Sequence, residues 1–262
     1  MDYLETNKQF WNAATGVNFG SDFYDQESFE KGRNSLNSIE LDLLGDIKGK
    51  SVLHLQCHFG QDTISLQRMG AIATGVDLSD EAITKARDIN DRLGLGTEFI
   101  CSDVFALKEK LHQQFDIVFT SYGTIAWLPD LDKWADVIRH FLKPGGKFVF
   151  AEFHPAVWMW DDDFTEVKYA YLNREPIADV EEGTYADKDA GTQNAFVCWN
   201  HGIGEVVTAL LKQGLAIDAL REFDYSPYPS FKGTEEFEPG KFRIKQFGNK
   251  MPLVYALRAL NQ

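Results

Sequence analysis

Apolar positions along the chain follow two alternating rhythms between residues 48 and 153. Short uninterrupted apolar runs lie at Ser51-Val-Leu-His-Leu-Gln56, 71–76, Phe99-Ile-Cys101, Phe115-Asp-Ile-Val-Phe-Thr-Ser121 and 147–153. Each predicts a buried strand, because a strand covered on both faces has no polar side to alternate with. Helical spacing is predicted between them at 61–70, from an N-cap at Ser79 to about Leu93, and at 130–142, where a Lys143-Pro-Gly-Gly146 turn follows. Two further helices are predicted upstream, at 5–14 and 28–45, the second from the spacing of Leu36, Ile39, Leu43 and Leu44. Strands alternating with helices imply right-handed crossovers and a parallel sheet, an α/β fold.

The alternation stops after Phe153. Residues 154–199 are rich in Trp, Tyr and acidic residues and carry no helical pattern. A helix at 202–214 (Ile203, Val206, Val207, Leu210, Leu211), a strand at 215–223, a polar aromatic loop and a last strand at 252–257 complete the chain. We therefore expect one domain in four parts: a helical lid over 1–47, a ligand-binding core over 48–153, an inserted cap over 154–199 that would not fold alone, and a C-terminal helix with the last two strands over 200–262.

Composition narrows the partners. The 262 residues are 44% hydrophobic and 25% charged, which is ordinary for a globular chain. Lys and Arg number 26 against 40 Asp and Glu, a net charge of −14. Such a surface repels phosphate backbones and anionic lipid, so neither nucleic acid nor membrane is an expected partner. No stretch approaches the roughly 20 apolar residues of a membrane span, and the start Met-Asp-Tyr-Leu-Glu has no signal-peptide pattern. The expectation is a cytoplasmic monomer or homodimer acting on a small molecule. Cys57, Cys101 and Cys198 are odd in number and widely spaced, so no disulfide framework is expected. His54, Cys57 and His58 invite a zinc reading, but they straddle a strand end with no second ligand pair, and no metal site is expected.

Ligands of an open parallel sheet bind beyond the carboxyl ends of its strands, so the residues ending the strands carry the chemistry. Asp77 ends the second strand 17 residues after Gly60, where a carboxylate can accept both hydroxyls of a ribose; alternatively it caps the helix at Ser79. Asp103 ends the third and can accept from an adenine amino group, or serve a helix N-terminus. A dinucleotide loop needs G-x-G-x-x-G, yet Gln56-Cys-His-Phe-Gly60 has one glycine, which weakens a nicotinamide oxidoreductase. There is no G-x-x-x-x-G-K-[ST] phosphate loop either.

Val52-Leu-His-Leu-Gln-Cys-His-Phe-Gly60, Thr74-Gly-Val-Asp77-Leu-Ser79, Ser102-Asp103, 115–121 and Leu142-Lys-Pro-Gly-Gly-Lys147 resemble, in order, the motifs of class I S-adenosylmethionine-dependent methyltransferases. The first motif is similar to that of a bacterial subgroup acting on small molecules, and the likeness extends through His154-Pro155 and Trp199-Asn-His201. The resemblance implies a seven-stranded, mostly parallel Rossmann-like sheet and methyl transfer by in-line attack on the sulfonium. It implies cofactor contacts from Gln56, Cys57, His58, Gly60, Asp77, Leu78, Ser102, Asp103, Val104 and Ser121. Separately, we expect Arg33 to pair with the cofactor carboxylate and the Phe10-Trp11 helix to fold over the cofactor as a lid.

The chain departs from the family in that first loop, where an acidic residue and two glycines are usual. Here His54, Gln56 and His58 stand instead. Gln56 and His58 either bond the cofactor's amino-acid end or block the site, which would leave a non-catalytic sensing or partner-binding module. A general base is needed only for a protonated acceptor. His154 and His201 are its candidates, against structural roles for each, and Tyr122 is expected to line the pocket. Trp158, Trp160, Tyr169, Tyr171, Tyr185 and Trp199 with nearby carboxylates either suit an uncharged or cationic, partly apolar molecule or pack under the cap beneath a solvated acidic face.

Overall fold

In the computed structural model, which describes residues 2–262, five parallel strands form the centre of one sheet: β1 (Ser51–Leu55), β2 (Ile72–Asp77), β3 (Glu98–Cys101), β4 (Phe115–Ser121) and β5 (Leu142–Phe153). Neighbouring residues on these strands point to opposite faces, and both faces are covered. Leu53, Val118 and Phe148 join one core with Trp134 and Phe141; Val52, Ile117 and Val149 join the other with Ile39, Leu43 and Leu66. That explains the uninterrupted apolar runs.

The connecting helices are α4 (Gln61–Arg68), α5 (Asp80–Arg92) and α6 (Leu131–Phe141); Ser79 caps α5 by accepting from Ala82 N at 3.0 Å, as its position predicts. After α7 (Ile203–Lys212) come β8 (Leu215–Phe223) and β11 (Val254–Asn261). β11 runs antiparallel between β5 and β8, giving the order β3-β2-β1-β4-β5-β11-β8. The expected seven-stranded, mostly parallel sheet is present. The chain order reverses between β1 and β4, and the carboxyl ends of those strands form the crevice where such sheets take ligands.

Several local expectations change. The first helix is longer, α1 (Tyr3–Phe19), with Asp2 accepting from Leu4 N and Glu5 N. The predicted helix 28–45 is two pieces, α2 (Gln26–Glu30) and α3 (Ser38–Leu44). Gly32 at φ +114° breaks it, and an Asn37/Glu40 capping box restarts it. α3 is built into the sheet-face core through Ile39, Leu43 and Leu44, whereas α1 packs on α5 and on the segment 154–199. That segment is not irregular throughout: β6 (Ile177–Glu182) and β7 (Gln193–Cys198) form a hairpin. A second hairpin, β9 (Thr234–Glu238) with β10 (Lys241–Ile244), lies in the stretch expected to be a loop. The second is polar on most positions, and in the first the apolar residues of β7 run consecutively (Ala195-Phe-Val-Cys198), so neither hairpin shows a sustained alternation. Among the described residues no helix is long and apolar enough to cross a membrane.

Candidate active site

The loop after β1 holds a conformation that its residues disfavour. Gln56 has φ 56° and His58 φ 51°, both in the left-handed region that favours glycine, and Gly60 follows at φ 80°. The path of a glycine loop is thus kept while side chains occupy it. A Cβ on Gly60 would lie 2.6 Å from the Phe99 ring, and one on Gly75 would lie 2.8 Å from the same ring and 2.9 Å from Cys57 Sγ. Close backbone packing therefore holds the loop against β2 and β3. Cys57 N extends the ladder to Val76 O at 2.9 Å, and burial pushes its thiol well up. Cys57 is a packing residue in this geometry.

Asp77 reaches across to this loop. Its Oδ2 accepts from His58 N at 2.7 Å and its Oδ1 from Ser79 N at 2.9 Å. Burial lifts the carboxyl to about 6 against those hydrogen bonds. Two oxygens offer about four acceptor positions, so capacity for hydroxyl donors remains. Ser102 N bonds Asp77 O at 2.8 Å, setting Asp103 one strand over and close enough to Tyr3 of α1 to help burial raise that phenol. Leu78 O accepts a weak bond from Cys101 Sγ. Val104, by contrast, is buried in the core beneath, packed with Leu107 and Ile125.

Aromatic rings roof the loop. Trp11 stands edge-on to His58 at 5.3 Å and to Trp127 at 5.1 Å. Tyr24 Oη lies 3.3 Å from His58 Nδ1 and shares a short hydrogen bond with Tyr185, which comes from the β6–β7 turn. Burial holds the His58 imidazole neutral, down to about 3, and His54 likewise, the latter bonded to Thr63 Oγ1 at 2.8 Å. Among the described residues no group of three or more potential metal ligands is gathered.

Beyond β4, Ser121 Oγ donates to Asp62 Oδ2 at 3.3 Å, and Tyr122 adopts φ 47° and donates to Glu40. Glu152, at the end of β5, accepts from Thr124 N at 2.7 Å, Ile125 N at 3.2 Å and Gly123 N, fixing the β4 loop; burial raises its carboxyl all the same. Glu40, Asp62, Glu152, Tyr24 and Asn18 belong to this edge, yet sequence reasoning did not single them out. Only Glu152, at a strand tip, offered a positional signal.

The two histidines differ. His154 is saturated: Nδ1 accepts from Ala156 N at 3.0 Å and Nε2 lies 2.8 Å from Glu222 Oε1. His201 gives Nε2–H to Leu128 O at 2.8 Å, which leaves Nδ1 as its basic nitrogen, and burial lowers its pKa. It lines a small cavity with Glu152, Trp158 and Trp199. Arg33 is committed elsewhere, to Tyr24 O at 2.6 Å and Ser28 Oγ at 2.9 Å. A roomier cavity of about 210 Å³ lies at the opposite, amino ends of β1 and β4, lined by Lys50, Asp116 and Lys147. Asp116 is already paired there with Lys143 at 3.0 Å, and the cavity lies away from the strand tips that carry the candidate site.

Residues 52–146 match the family described as "Methyltransferase domain". A ubiquinone biosynthesis O-methyltransferase of Coxiella burnetii is 33% identical over 105 residues, which is 40% of this chain and 44% of that protein. The chain therefore spans less than half the length of that curated relative. Among solved structures, a putative S-adenosylmethionine-dependent methyltransferase from Listeria monocytogenes superposes with TM-score 0.57 at 19% identity, covering 84% of this chain and 95% of its own. Geranyl diphosphate C-methyltransferase from Streptomyces coelicolor, solved with S-adenosyl-L-homocysteine, gives TM-score 0.63 at 13% identity over 100% and 98% of the two chains. Residues 52–146 thus match a methyltransferase domain, and the chain has the fold of these solved methyltransferases.

Proposed function

We propose that the chain transfers a methyl group from S-adenosylmethionine to a small-molecule acceptor. The observation that carries this reading is the Asp77–His58 contact: a strand-tip carboxylate holds a glycine-type loop at the β1/β4 reversal. The match of residues 52–146 and the names of the relatives support it. When bound, the cofactor supplies an electrophilic methyl on a sulfonium whose charge is lost on transfer.

In this reading Asp77 takes the ribose hydroxyls and Asp103 the adenine amino group, beside Leu78 and Ser102. Gln56, His58 and Ser121 face the amino-acid end. The rings of Trp11, Tyr24 and Tyr185 exclude water, so residues of the N-terminal lid and the 154–199 cap close the site together. Alignment and a dry site are the main contribution the protein makes. His201, with Nδ1 free, takes the proton of a hydroxyl or ammonium acceptor. Tyr122 and the Trp158–Trp199 region form the acceptor wall, which suits an uncharged or cationic, partly apolar molecule. The net charge of −14 disfavours nucleic acid and anionic membrane as partners.

Thermal unfolding with S-adenosylmethionine, S-adenosylhomocysteine or NAD tests this. A ligand at 100 times its Kd stabilises the fold by about 2.7 kcal/mol, a shift of several degrees. A shift with the sulfur ligands alone is expected. A shift with NAD alone overturns the reading in favour of an oxidoreductase, and no shift favours a non-catalytic module.

A further inference from the structure

Buried polar side-chain atoms in folded proteins are nearly always hydrogen-bonded, so those that are not mark a place where a partner is due. Among the described residues nine such atoms lack one, and four belong to three side chains around the β1 loop: Asn18 Nδ2 and Oδ1, Gln56 Oε1 and His58 Nε2. Asn18 is fully buried near the end of α1. It sits two helical turns from Trp11, whose ring stands against His58, and its neighbour Phe19 packs edge-on to Phe59 at 5.5 Å. Helix spacing therefore sets Asn18 on the α1 face that covers the loop.

The four atoms are of mixed character. Gln56 Oε1 and Asn18 Oδ1 accept; Gln56 cannot turn its amide freely, because its Nε2 is held by Thr124 O at 2.8 Å. Asn18 Nδ2 donates. His58 Nε2 also donates in the tautomer whose Nδ1 accepts from Tyr24 Oη. Acceptors for an ammonium beside donors for a carboxylate are what an α-amino-acid zwitterion requires. Arg33, the only cation expected to meet the carboxylate, is held instead by Tyr24 O and Ser28 Oγ.

We propose that Asn18, Gln56 and His58 form a side-chain clamp for the α-amino-acid end of the cofactor, replacing the open backbone of a glycine-rich loop and tying α1 to the bound ligand. The clamp rests on the methyl-transfer reading, but it makes a separate demand: it must act on the amino-acid end and not on the nucleoside.

Calorimetric titration of the full chain with S-adenosylhomocysteine and with 5′-methylthioadenosine separates the two, since the second has the adenosyl thioether without the amino-acid end. Asn18→Ala and His58→Gly should each weaken S-adenosylhomocysteine at least about tenfold, as expected for a lost hydrogen bond to a charged group, and leave 5′-methylthioadenosine within about twofold. Asn18→Ala breaks no side-chain hydrogen bond of the free protein; His58→Gly relieves φ 51° but removes a ring packed on Trp11 and bonded to Tyr24, so each titration is run below that variant's own unfolding temperature. Equal weakening of both ligands, unchanged S-adenosylhomocysteine binding, or wild-type protein that binds both ligands equally overturns the clamp while leaving the methyl-transfer reading in place. Wild-type protein that binds neither ligand overturns both.

Discussion

The Tyr122 hydroxyl donates a 2.7 Å hydrogen bond to Oε2 of Glu40, a carboxyl with no exposed surface. Its other oxygen accepts from Asn37 N at 2.5 Å, closing the α3 capping box. The groups facing it are Asp62 from α4, Tyr122 from the β4 tip and Tyr228, which is joined through Asn37 Nδ2 at 2.7 Å. Burial first, then Asp62, raises Glu40 to about 7 against the hydrogen bonds. The folded pKa therefore lies above the unfolded one. The stability this group contributes is complete below pH 4.5 and is lost as pH rises through about 7. The tyrosines are raised well above 10 and do not titrate in that window.

Glu40→Gln keeps the shape and removes the titration. Relative to wild type, the variant should gain up to about 3 kcal/mol between pH 5 and pH 8.5, read as a pH-dependent difference in unfolding temperature. A difference that stays constant across that range would mean that Glu40 is already ionised in the fold.

Asn7 of α1 acts as a short piece of strand. Its Nδ2 donates to Val197 O and its Oδ1 accepts from Val197 N, both at 2.8 Å and buried. Asn7→Ala strands two backbone groups of β7, at about 1–3 kcal/mol for each unsatisfied group. Amide exchange in β6 and β7 should accelerate together with exchange in α1. Acceleration in the hairpin alone would show that α1 is anchored by its other contacts, such as the Tyr3–Trp199 edge pair at 5.3 Å.

The sheet was legible because its signal is local: Val52-Leu53 and Ile117-Val118 each serve two cores, so burial on both faces is written into consecutive residues. Asp77 was legible because the strand ends there. Glu40 and Asn18 were not, and Tyr185, expected among the cap aromatics, was not legible as the partner of Tyr24. Glu40 reads as an ordinary capping-box acid, and only Tyr122, 82 positions away, makes it part of the crevice. Tyr185 meets Tyr24 across 161 positions from the connection between β6 and β7, a distance that no local pattern reports. The break in the helix expected at 28–45 hinges on Gly32 and Asn37, whose turn chemistry overrode a correct apolar spacing.

His154 and His201 sit on opposite sides of the functional question, and paired substitutions separate them. Both nitrogens of His154 are engaged, with Ala156 N and Glu222. His154→Ala should lower stability by about 1–2 kcal/mol through the lost cap and pairing, and change turnover less than threefold below its unfolding temperature. His201→Ala should lower single-turnover methylation of an acceptor found by screening at least about tenfold, with S-adenosylhomocysteine affinity within twofold. The reverse pattern would move the base to the β5 tip and require Glu222 to release His154.

Gly60 and Gly145 provide a matched pair for the packing behind the β1 loop. Both have similar positive φ, 80° and 76°, so alanine strains the backbone comparably at either. An added Cβ meets nothing within 4 Å at Gly145, whereas at Gly60 it lies 2.6 Å from Phe99 Cε1 and 3.1 Å from Ala86 Cβ. Gly145→Ala should therefore cost about 1 kcal/mol, the strain alone. Gly60→Ala should cost about 1–3 kcal/mol more, because the Phe99 ring must shift inside a filled core. Chemical denaturation of the two variants measures the difference directly. If they lose equal stability, Phe99 yields without penalty, and the loop would tolerate a larger residue at Gly60 as it already does at Gln56 and His58.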